Sequence, residues 1–365
     1  MSQQSITSHM LKYGIEKMSY TQEGRIYTMQ IDARPIDLRL TTPFRISRGV
    51  QNVASNAIVQ INFNGHTGYG EAAPDEFYGE NVETVLSCIS QFAGNLGDDP
   101  FVIEDILNNL EHIIRLNPSA KASVDMALYD LVGKLLGVPV YKLLGLNPAH
   151  SAYTSFTLGI DSPTNMAKKA LLARDYPILK VKVGTKNDIA MLDAIREVSS
   201  AAIRVDANAG WTPKEAIKTI NALVPYNIEF VEQRTSPGDY TGLKLIRENV
   251  PLPIIADESC ITVEDIPRIA ECVDGVNIKL MKCGGLRHAL KMIHVARAHH
   301  LRVMIGCMIE SSLAITAAAH ITPLVDYADL DGHLLIDNDP YVGVSVVNGK
   351  LILPDEPGLG IKMRE

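Results

Sequence analysis

From residue 153 onward the chain keeps a beat. Short β-rich runs begin at YTSFTL 153, ILKVKV 178, IRVDAN 203, IEFVEQ 228, PIIADE 253, VNIKL 276, RVMIGC 302 and YADLD 327. Successive starts lie 25, 25, 25, 25, 23, 26 and 25 residues apart, and amphipathic stretches fill the gaps. One of these, TPKEAIKTINALV, offers Thr212 as N-cap, Pro213 at the first helical position and Glu215 to close a capping box, with Ile217, Ile220 and Val224 on one face. Eight strands with about seven intervening helices, each unit near 25 residues, match the arithmetic of a (β/α)-barrel. A solenoid has a similar period but repeats a consensus, and none is shared here. A doubly wound sheet more often has a Gly-rich phosphate turn after its first strand. TGYGEA at 67 fits neither dinucleotide nor P-loop spacing, and its glycines read as turn residues.

Upstream, residues 26–70 read as a β-meander and 81–145 as helices, the order of a separate α+β domain. Residues 1–25 read as an extension without a signal-peptide pattern. The expected division is 1–25 extension, 26–148 α+β capping domain, 149–335 (β/α)7β barrel of TIM type, and 336–365 a tail returning to the cap. That tail contains a hairpin turning at Asn348-Gly349. No apolar run is long enough for a membrane span. The formal charge is −8 with Lys and Arg dispersed, so neither a nucleic-acid nor a membrane-surface partner is expected. Five cysteines without a CxxC pair suit a reducing, cytoplasmic setting better than a disulfide framework or zinc site.

In such a barrel the chemistry sits at the C-terminal strand ends. Asp206, Glu232 and Asp257 stand there on three consecutive strands, 26 and 25 residues apart. Neighbouring strands lie about 4.8 Å apart, so the three acids can converge on a hard cation, Mg²⁺ or Mn²⁺. Singly, each acid equally fits a salt-bridged surface position. Lys180 and Lys182 share one face of the second strand, and Lys279 ends the sixth, across the barrel. A strand-end pair reaching into solvent is the alternative for the first two. A lysine beside a divalent cation and a second lysine is expected to have a lowered pKa, and so to serve as a general base. Asp329 and Asp331 form a second acidic locus on the eighth strand, suited to a substrate ammonium or to capping the next segment. His294, His299 and His300 lack metal-ligand spacing and read as solvated, and Trp211 reads as packing.

Together KVKVG (180–184), RVDANAGW (204–211), VEQ (231–233), ADES (256–259), NIKLMKCGG (277–285) and GCMIES (306–311) resemble the enolase superfamily, muconate-lactonizing-enzyme subgroup. KASVDMALYDLVGKLLGVPVYKLLG resembles its helical signature, and the likeness spans about residues 26–361. The resemblance implies a capped (β/α)7β barrel that removes a proton α to a carboxylate, giving a Mg²⁺-stabilised enediolate. It implies Asp206, Glu232 and Asp257 as metal ligands, Lys182 and Lys279 as the acid/base pair, Lys180 as electrostatic tuner of Lys182, and Glu258 behind a ligand. The Asp-x-Asp at 329–331 is similar to that of the dipeptide epimerases, where it holds the N-terminal ammonium. This favours them over o-succinylbenzoate synthases and N-succinylamino acid racemases. The place of the arginine that pairs an acidic substrate residue is held by Gly49, with Arg48 one residue earlier. The nearby Asp75, Glu76, Phe77 and Tyr78 suit a cationic or hydrophobic substrate residue, so Arg48 and Phe77 are the expected side-chain contacts. Arg234 replaces the usual proline after Glu-Gln. The resemblance also implies a homo-oligomer.

Overall fold

The alternating runs that follow residue 28 pair as an antiparallel meander, β1 (Gln30–Ile46), β2 (Gly49–Phe63) and β3 (His66–Ala72). The computed structural model describes residues 28–46, 49–207, 211–233 and 236–365. The expected extension over 1–25 therefore lies outside the described residues. Asn64 and Gly65, at φ 46° and 77°, turn β2 into β3, the positive-φ pair that a two-residue hairpin with native twist requires. Helices α1 (Val82–Phe92), α2 (Ile103–Ile113) and α3 (Pro118–Leu136) cover the sheet. A core of Val59, Ile61, Phe92, Leu110, Leu128 and Leu131 lies between the layers.

The glycines of TGYGEA are not turn residues. Gly68 and Gly70 lie inside β3, paired with Ile61 and Val59. A Cβ on Gly68 would stand 2.0 Å from Ala127 O, and one on Gly70 1.8 Å from Ser123 O. The two glycines let the α3 backbone settle directly on the strand, a close approach that any side chain would block.

All eight expected barrel strands are present: β4 (Phe156–Leu158), β5 (Ile178–Lys182), β6 (Ala202–Asp206), β7 (Ile228–Glu232), β8 (Ile254–Ala256), β9 (Gly275–Lys279), β10 (Arg302–Gly306) and β11 (Tyr327–Asp329). They pair in parallel and in sequence order. A parallel bridge between Thr154 and Ala328 joins the two edges. Helices α4 (Pro163–Leu172), α5 (Asp188–Arg196), α6 (Pro213–Leu223), α7 (Tyr240–Asn249), α8 (Asp265–Ile269), α9 (Leu286–Ala298) and α10 (Ser312–Ala319) fill the crossovers. The capping box of α6 forms as the sequence predicts, between Thr212 and Glu215. Its buried face is Ala216, Ile220 and Leu223, whereas Val224 is exposed. The chain tightens into a 3₁₀ turn at Val224, which carries that residue off the helical stripe.

Strand periodicity divides polar from apolar. Leu179, Val181, Ile203 and Val205 join the core against the helices, and Lys180, Lys182, Arg204 and Asp206 take the alternate face. The tail hairpin turns at Asn348-Gly349 (φ 49° and 77°). The tail bonds to both layers: Leu359 N donates to Asp130 Oδ1 on α3 (2.7 Å), and Val344 N to Thr316 Oγ1 on α10 (2.8 Å). Among the described residues no helix is long and apolar enough to cross a membrane.

Candidate active site

Ladder register aligns Lys182, Asp206 and Glu232 on one rung, and pairs Gly306 with both Lys279 and Asp329 on another. Lys182 pairs with Asp206, and Asp206 with Glu232. Asp257 follows β8 directly, Lys279 ends β9, and Asp329 ends β11. These groups meet at the barrel mouth, nine-tenths buried or more except Lys279, whose side chain is 12% exposed. Lys180 Nζ lies 2.6 Å from Glu232 Oε2, 2.7 Å from Asp329 Oδ2 and 3.2 Å from Asp206 Oδ2. Lys182 Nζ is 2.6 Å from the same Asp206 oxygen, and Lys279 Nζ is 2.9 Å from Asp257 Oδ2.

A cleft of about 700 Å³ opens above them, walled on the other side by cap residues. Lys180, Lys182, Lys279, Asp329 and Asp331 line it. Asp206, Glu232 and Asp257 do not; they contact the lysines that do. Phe77 stands on the cap wall with Asp75 and Glu76, its ring edge-on to Tyr78 at 5.0 Å. Arg48, Asn208 and Arg234 lie outside the described residues. Trp211 packs against the core, and His294, His299 and His300 are exposed.

Burial alone would push the lysine ammonium groups down. At Lys180 the charges of Asp329, Glu232 and Asp206 outweigh it and hold the group well above its ordinary value. Asp257 leads the same effect on Lys279. The protein's own carboxylates, the nearest neighbours of these lysines, set this direction; the lowered pKa expected from the sequence is that of a lysine beside a bound divalent cation. Burial likewise opposes ionisation of Asp206 and Asp257, and the lysines nonetheless hold both below the usual carboxylate range. Glu232 goes the other way: burial raises it, and Lys180 only partly offsets that. Burial and then the Asp257 charge push Glu258 up to about 7. Burial and then the Asp329 charge do the same to Asp331.

The donor set, built of carboxylate oxygens, suits a hard cation in its chemistry. Six carboxylates (Asp206, Glu232, Asp257, Glu258, Asp329 and Asp331) face four ammonium groups (Lys180, Lys182, Lys279 and Lys282). Glu232 Oε2 is buried and receives no hydrogen bond, although Lys180 lies in ion-pair range. Among the described residues no three acidic, His or Cys side chains are already drawn together as a metal cluster; Asp206, Glu232, Asp257 and Asp329 each turn to a lysine.

Residues 30–145 match the mandelate racemase/muconate lactonizing enzyme N-terminal domain, and residues 164–365 match the enolase C-terminal domain-like family. The chain belongs to the mandelate racemase/muconate lactonizing enzyme family. Among relatives in this family, an L-Ala-D/L-Glu epimerase of Bacteroides thetaiotaomicron is 42% identical over 97% of this chain and 90% of its own length. A dipeptide epimerase of Enterococcus faecalis, solved with Mg and L-Leu-L-Tyr, superposes with a TM-score of 0.87 at 40% identity, covering 92% of this chain and 99% of the other. An N-succinyl Arg/Lys racemase of Bacillus cereus superposes with a TM-score of 0.88 at 33% identity, covering 93% and 96%.

Several groups that complete this family member's site escape sequence reasoning. Asn277 Nδ2 donates to Glu232 Oε1 (2.7 Å), and Gln233 Oε1 accepts from Asp257 N (3.1 Å) and Ser259 N (2.8 Å). Ser155 Oγ donates to Asp329 Oδ1, and Thr157 N to Asp331 Oδ2, each at 2.6 Å. Lys282 Nζ binds Asp257 Oδ1 (2.5 Å) and the carbonyls of Asp257, Cys260 and Asn277. Lys282 had a readable signal, a charge set between Leu280-Met281 and Cys283 just after the strand end. Asn277 had one too, two residues before Lys279 on the same strand face. Ser155 and Thr157 had none, because their partners lie 174 residues away.

Proposed function

We propose that this enzyme epimerises dipeptides at the α-carbon of the C-terminal residue, by proton transfer between Lys182 and Lys279 on opposite sides of the substrate. The carrying observation is the placement of two lysines on β5 and β9, separate strands of one barrel mouth, beside the buried Asp329–Asp331 pair. Asp206, Glu232 and Asp257 would hold Mg²⁺, with Mn²⁺ as the alternative. When bound, it supplies positive charge to the carboxylate oxygens on which negative charge grows.

Asp331, with Asp329 behind it, receives the substrate ammonium. That ammonium gives Asp331 the counter-charge which favours its ionised form. One lysine, as free amine, takes the α-proton. The C–H electrons pass into the carboxylate, forming an enediolate. The other lysine, as ammonium, returns a proton to the opposite face, so the stereocentre inverts and the atoms balance. Lys180, held among Asp206, Glu232 and Asp329, keeps a fixed positive charge near Lys182 and the developing anion. On the cap wall Asp75, Glu76 and Phe77 suit a cationic or apolar substrate side chain.

The test is incubation with Mg²⁺ and a pooled L,L-dipeptide library in D₂O, read by mass spectrometry. A gain of one mass unit in a subset supports the reading, and the subset names the preferred side chains. No exchange in any dipeptide overturns it. Exchange confined to N-succinylamino acids, or turnover of the o-succinylbenzoate precursor, would assign the same lysines to those reactions.

A further inference from the structure

The TGYGEA segment has one residue that neither the fold nor the reaction scheme has used. Glu71 is fully buried at the end of β3. Four donors surround its carboxylate, three of them from the barrel. Oε1 accepts from Asn56 Nδ2 (2.8 Å) and Ser311 N (3.0 Å), and Oε2 from Ser311 Oγ (2.5 Å) and Ala314 N (3.4 Å). Asn56 also donates to Ile309 O at 3.0 Å. One side of the 307–311 segment is thus tied to the cap.

The other side of that segment reaches the substrate end of the site. A Cβ placed on Gly332 would stand 2.6 Å from Met308 O and 3.0 Å from Glu310 N. The segment therefore presses on the backbone immediately after Asp331. Met308, Ile309 and Asp331 line one cleft. A second tie between cap and barrel lies elsewhere, where Arg287 of α9 pairs with Glu104 and Glu111 of α2. A carboxylate suits the place because an acceptor-only group meets four donors. Glutamine would turn an NH₂ toward at least one of them and leave a buried donor unpaired.

We propose that Glu71 is a positioning residue: it holds the 307–311 segment against Gly332 and so fixes Asp331 where the substrate ammonium binds. The role of Asp331 rests on the dipeptide reading above; the chain of contacts from Glu71 to Gly332 does not.

Two readouts on the full-length enzyme separate these layers. Hydrogen–deuterium exchange should quicken in Glu71→Gln over residues 307–314 and 330–334, with α2 and α9 unchanged. Unchanged exchange there overturns the proposal whatever the substrate. In steady-state kinetics on an exchange-positive dipeptide, Glu71→Gln should lower kcat/KM about 10-fold, mostly through KM. In an Asp331→Asn background the same change should cost less than about 2-fold, since coupled residues are not additive. An equal loss in both backgrounds would show that Glu71 acts on another group, and the proposal falls. Ser311→Ala keeps the carboxylate and removes one donor; it should shift both readouts the same way, by about 3-fold in kcat/KM, and decides the matter if Glu71→Gln does not fold. A wild-type enzyme inert on dipeptides overturns the epimerase reading alone, and the exchange data still judge Glu71.

Discussion

Arg204 and Lys180 are both buried cations inside the same barrel, each 2% exposed, yet they are built differently. Arg204 Nε meets Glu229 Oε2 at 2.7 Å, and Nη1 donates to Ala328 O at 2.6 Å. Its guanidinium stacks over the rings of Phe230 (5.2 Å) and Tyr327 (5.1 Å). Each of these partners has one task, and the fixed charge of arginine never leaves. Lys180 instead has three carboxylates crowding one ammonium, in a cluster where acids outnumber lysines. Buried charges are costly unless matched. In the function proposed above, a divalent metal and a substrate ammonium are the cations that complete this cluster. Arg204, the ladder partner of Lys180, ties β6 to β11, whereas Lys180 stands among the groups that line the cleft.

The contrast breaks most sharply at the lysines. Lys182→Ala and Lys279→Ala should each lower epimerisation by about 10³-fold or more. Each variant keeps one base, so deuterium exchange should survive for one epimer of the substrate and vanish for the other, with the surviving epimer reversed between variants. Chiral chromatography of the labelled product checks this. Survival of both exchanges in either variant would sink the two-lysine assignment. Arg204→Met should do the reverse. It removes the donor to the Ala328 carbonyl and the partner of the partly exposed Glu229 and should cost about 2 kcal/mol of stability in urea unfolding, while kcat of the folded fraction stays within about 2-fold. A loss of kcat without a loss of stability would mean that the tasks of Arg204 and Lys180 are not separate.

The same division governs what was legible beforehand. The eight strands, and the convergence of Lys180, Lys182, Lys279 and the acids, follow from a 25-residue rhythm and a two-residue side-chain alternation, both local properties. Asp206 and Glu232 even prove to be direct ladder partners. Groups recruited across the fold leave no such trace. Ser155 and Thr157 reach Asp329 and Asp331 only because the barrel closes, and Glu71 meets Ser311 across 240 residues. Gly68 and Gly70 misled for the same reason: a glycine reads as a turn until the helix that needs its missing side chain is in place. Which carboxylates stand nearest Lys180 and Lys279, and so raise their pKa values, is likewise invisible in the sequence.

A third buried ionisable group sharpens the comparison with a smaller effect. His320, at the end of α10, has one partner for each ring nitrogen. Nδ1 accepts from Tyr141 N and Nε2 donates to Leu359 O, both at 3.2 Å, so the neutral tautomer is fixed. Burial, opposed only by the Leu359 carbonyl, pushes its pKa down from 6.5 to about 4. Its partners are single-purpose, as at Arg204, and its titration should therefore appear in stability. Below pH 6.5 the unfolded chain takes up a proton that the native ring refuses. The stability this group contributes is whole above 6.5 and is lost as pH falls toward 4, about 3 kcal/mol across the window. His333, also pushed down to about 4 by burial, and the ion-paired carboxylates add to the wild-type acid slope, so the informative quantity is a difference between proteins. Urea unfolding of wild type and His320→Gln at pH 7.5, 6.0, 5.0 and 4.5 should show a gap that is largest at 7.5 and narrows by about 2 kcal/mol by 4.5. A gap independent of pH would mean that the ring is held for its shape and its two hydrogen bonds, with no proton linkage.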